Sequence, residues 1–143
     1  MHLRRATSGI VLAMLLATTM NGAAAQRLVR TLCRHCREPF RPMPELIERL
    51  GLGRFADESE ITLHRPRGCA ECGGTGYYGR TSIFEVLVVD DAIRKLILRH
   101  AEASELHRVA VGQGMRTMYD EGMMKALSGE TTVEEVLKVA RNS

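Results

Sequence analysis

Four cysteines are the residues of this chain whose type and spacing best suit chemistry. They form two pairs, Cys33-Arg34-His35-Cys36 and Cys69-Ala70-Glu71-Cys72, with 32 residues between the pairs and no other cysteine in the 143. Two residues between cysteines let one turn aim both sulfurs at a common point, and two such turns complete a tetrahedron. The pattern reads as a structural zinc site with Cys33, Cys36, Cys69 and Cys72 as the metal ligands. Four sulfur ligands leave no open position, so the ion would hold structure and perform no reaction. Bound as thiolates, the cysteines carry net negative charge, which Arg30, Arg34, Arg37 and Arg67 are expected to offset. A redox dithiol or two disulfides remain competing readings of the same residues. His35 and His64 lie close to the pairs in sequence. With the tetrahedron filled, each is at most a spare ligand or a hydrogen-bond donor behind the ligands.

No catalytic constellation accompanies the cysteines, and no catalytic or cofactor-binding residue is expected. The run Gly73-Gly74-Thr75-Gly76-Tyr77-Tyr78-Gly79-Arg80-Thr81 nearly imitates a phosphate loop, G-x-x-x-x-G-K-[ST], with Arg in place of Lys. A phosphate loop needs a strand before it and a helix N-terminus after it. Here a cysteine knuckle precedes and a β-branched run follows, so the glycines are read as room for backbone around the sulfurs. Asp90-Asp91 and Glu134-Glu135 are expected at helix starts, where the helix dipole favours acids. His107 is expected on the exposed side of a helix.

The elements that must position the cysteines can be read in outline. A helix is expected over residues 8–32, softened near Asn21-Gly22, and 26–32 reads as helix-like up to the first knuckle. Glu38-Pro39-Phe40-Arg41-Pro42 is extended. Pro44 suits the first position of a short helix with Leu46, Ile47 and Leu50 on one face, ended by Gly51. Residues 54–59 read as loop. Ile61 and Leu63 alternate with polar residues, as a strand would. The β-branched run 82–89 reads as strand. Asp90 can cap a helix that buries Ile93, Leu96 and Ile97, and Ser104 can cap the next, which ends near Gly112. Met115, Met118, Tyr119, Gly122, Met123, Ala126 and Leu127 step by three and four, as a core face does. Gly129 ends that helix. Thr131-Thr132-Val133-Glu134-Glu135 offers a capping box in either register, before a last apolar face of Val133, Val136, Leu137 and Ala140. The fold class expected is mainly α with a small β component, a zinc-stapled knuckle module followed by a C-terminal helical bundle.

Composition narrows the function classes. The chain has no Trp, three Phe and three Tyr, and a net charge of +3. So mild a charge, without an aromatic-basic patch, gives no reason to expect nucleic acid as a partner. Residues 1–26 carry the grammar of a secretory signal: basic Arg4-Arg5, an apolar run, then Ala23-Ala24-Ala25. On that reading the mature chain is exported and its cysteines pair as disulfides. The apolar run is too short to span a bilayer. Paired C-x-x-C knuckles fit a reducing compartment better.

Four blocks, in order, resemble the C-terminal end of the type II secretion and type IV pilus assembly ATPases. They are L-A-T-T-M-N-G-A-A-A-Q-R-L-V-R-T-L-C from Leu15, C-R-H-C, R-G-C-A-E-C-G-G-T-G-Y-Y-G-R-T-S-I-F-E-V-L-V-V-D-D from Arg67, and M-Y-D-E-G-M-M-K-A-L-S-G-E-T-T-V-E-E-V-L-K-V from Met118. The resemblance implies a cytoplasmic hexameric motor on an inner-membrane platform, whose four-cysteine module binds Zn2+ and whose ATP and Mg2+ belong to a core upstream. It implies as partners other motor subunits and the platform, with peripheral membrane association. It divides the chain into an N-terminal helix (1–26, a remnant of the ATPase core, or signal-like), a four-cysteine zinc module (27–81), and a strand with a C-terminal helical domain (82–143). Departures are equally plain: no true phosphate loop, no Walker B segment, an apolar stretch over 1–14, and an inverted acidic pair at Asp120-Glu121. The expectation is a truncated gene, a fragment or a mis-called start, non-catalytic by itself, since phosphoryl transfer needs phosphate-binding amides, a metal-holding group and a base. Cys69 to Gly76 also fits the C-x-x-C-x-G-x-G repeat of J-domain chaperones, but the Cys33 pair lacks the glycines. A free-standing chaperone-type zinc module and a secreted disulfide protein are the alternatives.

Overall fold

The computed structural model describes residues 19–140. In chain order the elements are β1 (Gly22–Leu32), β2 (Glu38–Phe40), α1 (Pro44–Leu50), a 3-10 turn (Leu52–Arg54), β3 (Leu63–Arg65), β4 (Tyr77–Val88), α2 (Asp91–Leu98), α3 (Ala103–Gly112), α4 (Met118–Leu127) and α5 (Val133–Ala140). Five α-helices and four strands lie wholly within the described residues. β1 and β4, 11 and 12 residues long, are too substantial for helix to dominate clearly.

β1 is the main departure from expectation. Residues 22–32 form a strand, not the end of a helix; the rest of the expected helix, 8–18, falls outside the described residues, as do most of the signal-like features. Alanine favours helix locally, but β4 offers a long β-branched partner, and pairing with it overrides a weak local preference. β1 and β4 form a two-stranded sheet. The Val89 amide donates to Asn21 O at one end and the Cys33 amide to Gly76 O at the other, so the strands run antiparallel. β4 begins at Tyr77, five residues before the β-branched run.

The chain divides into two compact units, Met1–Ala25 with Glu85–Thr117, and Gln26–Phe84 with Met118–Ser143. In the first, Val89, Ile93, Leu96 and Ala110 form the buried centre. Asp90 caps α2 as expected, its Oδ1 accepting from the Ile93 amide at 2.9 Å. α3 starts after Glu102 with no side-chain cap, rather than at Ser104. Both residues are polar, and local sequence does not separate them.

In the second unit, Ile47, Leu50, Leu52, Ile61, Leu63, Met123, Ala126 and Val136 make the core. Pro44 opens α1 and Gly51 ends it. β2 and β3 pair antiparallel, Phe40 opposite Leu63. Met118, Gly122, Met123 and Ala126 are buried, so the methionine face is core. Gly122 has no room for more, because a Cβ there would overlap Val136 Cγ1. Val29, Ile83 and Met118 form a smaller cluster on the sheet. The helices expected as one C-terminal bundle are thus shared between two cores, α2 and α3 in one, α4 and α5 in the other. No helix among the described residues is long and apolar enough to cross a membrane.

Candidate metal centre

The first knuckle follows directly from β1. Its turn is closed by the Cys36 and Arg37 amides, both donating to Cys33 O at 3.3 and 3.0 Å. The second precedes β4 and is closed by the Gly73 amide to Ala70 O and the Gly74 amide to Cys69 O. Because β1 and β4 pair, and Cys33 N–H bonds Gly76 O, the sheet delivers both turns to the same end. Gly76 is required there: its φ is +76°, and a Cβ would overlap Pro66.

The four Sγ atoms lie within 4.8 Å of one another. Cys33 to Cys69 and Cys36 to Cys72 are each 3.8 Å, and Cys69 to Cys72 is 3.7 Å. A tetrahedron with metal–sulfur bonds of about 2.3 Å has edges of about 3.8 Å. A disulfide would need about 2.05 Å, and all four cysteines are free. The sulfurs stand in a metal-binding geometry, largely enclosed: Cys33, Cys36 and Cys72 are buried and Cys69 is partly exposed.

Backbone amides, rather than the nearby arginines, meet the Cys72 sulfur. Cys72 Sγ accepts from the Cys69 amide at 3.2 Å and the Gly76 amide at 3.1 Å. Three of the four arginines expected to offset the sulfur charge are engaged elsewhere. Arg30 pairs with Glu135 at 2.7 Å, Arg67 pairs with Glu38 at 3.0 Å, and Arg37 donates to Gly129 O; Arg34 is exposed. Burial raises the Cys36 thiol to about 11. Burial acts the same way on Cys72, but the Cys69 and Gly76 amides outweigh it and bring that thiol down to about 6. A cation entering the site must therefore displace protons, which makes its binding pH-dependent.

The histidines take no place among the sulfurs. His35 is exposed on the first turn, and His107 is exposed on α3 as expected. His64, on β3, buries an Nδ1 that has no hydrogen-bond partner. Its pKa is lowered, first by burial and then by the Arg37 charge. The near-phosphate loop enters β4 rather than a helix, so it presents no helix N-terminus to a phosphate. Of the two capping registers, Thr132 is used, its Oγ1 accepting from the Glu135 amide at 3.3 Å. Asp120, in the inverted acidic pair, bonds Arg54 at 2.5 Å.

A network that sequence reading missed joins the last helix to β1. Arg30 donates to Glu135 from both its amide (3.2 Å) and its guanidinium (2.7 Å), and Lys138 adds a third bond at 2.7 Å. The Arg30 guanidinium lies 3.9 Å from the Tyr77 ring centroid, and Tyr77 Oη is 3.3 Å from Thr132 Oγ1. Arg30 and Glu135 lie 105 residues apart and Tyr77 and Thr132 lie 55 apart, and no local signal links either pair.

Two cysteine turns joined to a strand pair and short helices place this among chains with four cysteines in a metal-binding geometry. Comparison with known proteins narrows the class: residues 3–138 match the family model of the Type II/IV secretion system proteins, and the chain belongs to that family. It is 48% identical over 129 residues to Type II secretion system protein E of Xanthomonas campestris pv. campestris, covering 90% of this chain and 23% of that one. It is 46% identical over 127 residues to protein E of Pseudomonas aeruginosa, covering 89% and 24%. It is 45% identical over 122 residues to the type IV pilus assembly ATPase PilB of Thermus thermophilus, covering 85% and 14%. The chain thus spans less than a quarter of the length of these relatives. The family match gives no support to the chaperone and secreted disulfide readings.

Proposed function

We propose that the chain is the zinc-binding C-terminal region of a secretion or pilus motor, a non-catalytic structural and interaction module. Cys33, Cys36, Cys69 and Cys72 would hold Zn2+, within the module expected over residues 27–81. The ion would supply four bonds to sulfur and fasten the two turns that precede and follow the sheet. The spacing of the four sulfurs at the edge length of such a tetrahedron carries this reading. Family membership supports a multi-subunit machine as the context; in this reading the partners would be other motor subunits and an inner-membrane platform, at the cytoplasmic face of that membrane.

ATP hydrolysis in this reading belongs to a core that these 143 residues do not contain. No G-x-x-x-x-G-K-[ST] run occurs in the sequence. The test is steady-state phosphate release by the purified chain with ATP and Mg2+. The expected result is no turnover above buffer. Turnover that is abolished by substituting a residue of this chain would overturn the non-catalytic assignment.

A further inference from the structure

The first knuckle holds more than the second. Immediately before Cys33, the Leu32 amide donates to Glu130 O at 2.9 Å. Immediately after Cys36, Arg37 donates through Nη1 to Gly129 O. Two residues earlier on β1, Thr131 Oγ1 donates to Arg30 O at 2.7 Å. Three bonds thus tie residues 30–37 to residues 129–131, the turn joining α4 to α5. Carbonyls at a helix C-terminus lack partners within their helix, and here the knuckle segment supplies donors. The fit is tight. Gly129 has φ +72°, and a Cβ added to it would lie 2.7 Å from His64 Nδ1 and 2.9 Å from Arg37 Nη1.

The two bonds that flank the cysteines occur together with the four-residue loop between them closed. The loop's own bonds, at 3.0 and 3.3 Å to Cys33 O, close one turn; sulfur ligation by an ion would lock it. Resting on the zinc reading above, we propose that metal occupancy sets the α4–α5 turn. Arg37 is the positioning residue that carries the state of the four-cysteine site to the C-terminal helix pair. In the loaded chain Arg37 is held against Gly129. In the stripped chain the loop opens, Arg37 leaves, and the turn loses its outer donors. Coupling of this kind is reciprocal, so loosening the turn must also weaken the metal.

The test uses the full chain, with zinc and after chelation, and reads hydrogen exchange residue by residue. Stripping zinc is expected to speed exchange at Leu32 and at Glu130, whose amide bonds Lys125 O, by at least ~10-fold. The Arg94 amide of α2, bonded to Asp90 O, is the internal reference and should not change. Arg37→Gln should still bind one zinc with four protected thiols, yet exchange at Glu130 as the stripped chain does. Arg37→Lys, which keeps a cationic donor, should restore part of the protection. Gly129→Ala, remote in sequence from every cysteine, should lower zinc affinity by about 10-fold in competition with a chromophoric chelator. If Gly129→Ala does not fold, the Gln and Lys pair at Arg37 decides alone. Loaded Arg37→Gln with wild-type exchange at Glu130 would overturn the relay, as would a turn indifferent to chelation. A wild-type chain that takes up no zinc would overturn the metal reading itself; one that takes up zinc with an unresponsive turn would sink the relay alone.

Discussion

Replacing Glu135 with Gln probes the tie between α5 and β1. The Glu135 side chain is only 8% exposed and its carboxylate is held by Arg30, which is 47% exposed. Hydrogen bonding to the Arg30 guanidinium outweighs burial and brings the Glu135 carboxyl from 4.5 down to about 2. At roughly 1.4 kcal/mol for each tenfold change in acidity, this sets a ceiling of about 3 kcal/mol on what ionisation contributes to folding. Solvent around the half-exposed Arg30 screens the pair, so the expected loss is about 1–2 kcal/mol. The sign is fixed by the direction of the shift. A depressed carboxyl stabilises the fold fully above its unfolded value of 4.5, and that contribution fades as pH falls toward about 2. Urea unfolding of the zinc-loaded wild type and Glu135→Gln, followed by circular dichroism, measures the difference at pH 7. Repeating the pair at lower pH should shrink the gap to under half by about pH 3. Equal stability at pH 7, or a gap independent of pH down to 2, would refute this account of the network.

Other substitutions test individual contacts. Gly122→Ala should cost about 1–3 kcal/mol in urea unfolding, because the new methyl overlaps Val136 in a filled core; a stabilised variant would contradict the packing described. Asp90→Ala should cost about 1 kcal/mol through loss of the α2 cap, and Asp90→Asn, which keeps an acceptor, should recover most of it. Gly76→Ala should weaken metal retention in a chelator competition, since it meets Pro66 and disturbs the amide that bonds Cys72 Sγ; unchanged retention would show that the second turn tolerates the strain.

The gathering of the four cysteines was legible in the sequence because much of its information is local. Two residues between cysteines dictate a turn, and the turn dictates where the sulfurs point. Pro44, Gly51 and Asp90 were legible for the same reason, each acting on backbone within one helical turn. β1 was not, because Ala23 to Gln26 favours helix by itself and becomes strand only against β4, more than fifty residues on. The role of Arg30 was misread through the same nearness in sequence that made it a plausible neighbour for the sulfurs. Its partner Glu135 lies 105 residues away, and only the folded chain brings the two together. The Cys72 sulfur, in turn, is met by the amides of Cys69 and Gly76, groups that every residue but proline carries and that no side-chain pattern announces. Family resemblance, carried by blocks of sequence rather than by any single contact, anticipated the membership that the comparisons show.

The central claim is that four sulfurs grip one zinc ion and so fasten the strand ends together. Native mass spectrometry of the purified chain, paired with alkylation of its thiols before and after chelation, tests it most directly. One zinc per chain, with all four cysteines protected until the chelator is added and all four modified afterwards, is the predicted result. A metal-free folded chain with four reactive thiols, or one carrying two disulfides, would contradict it.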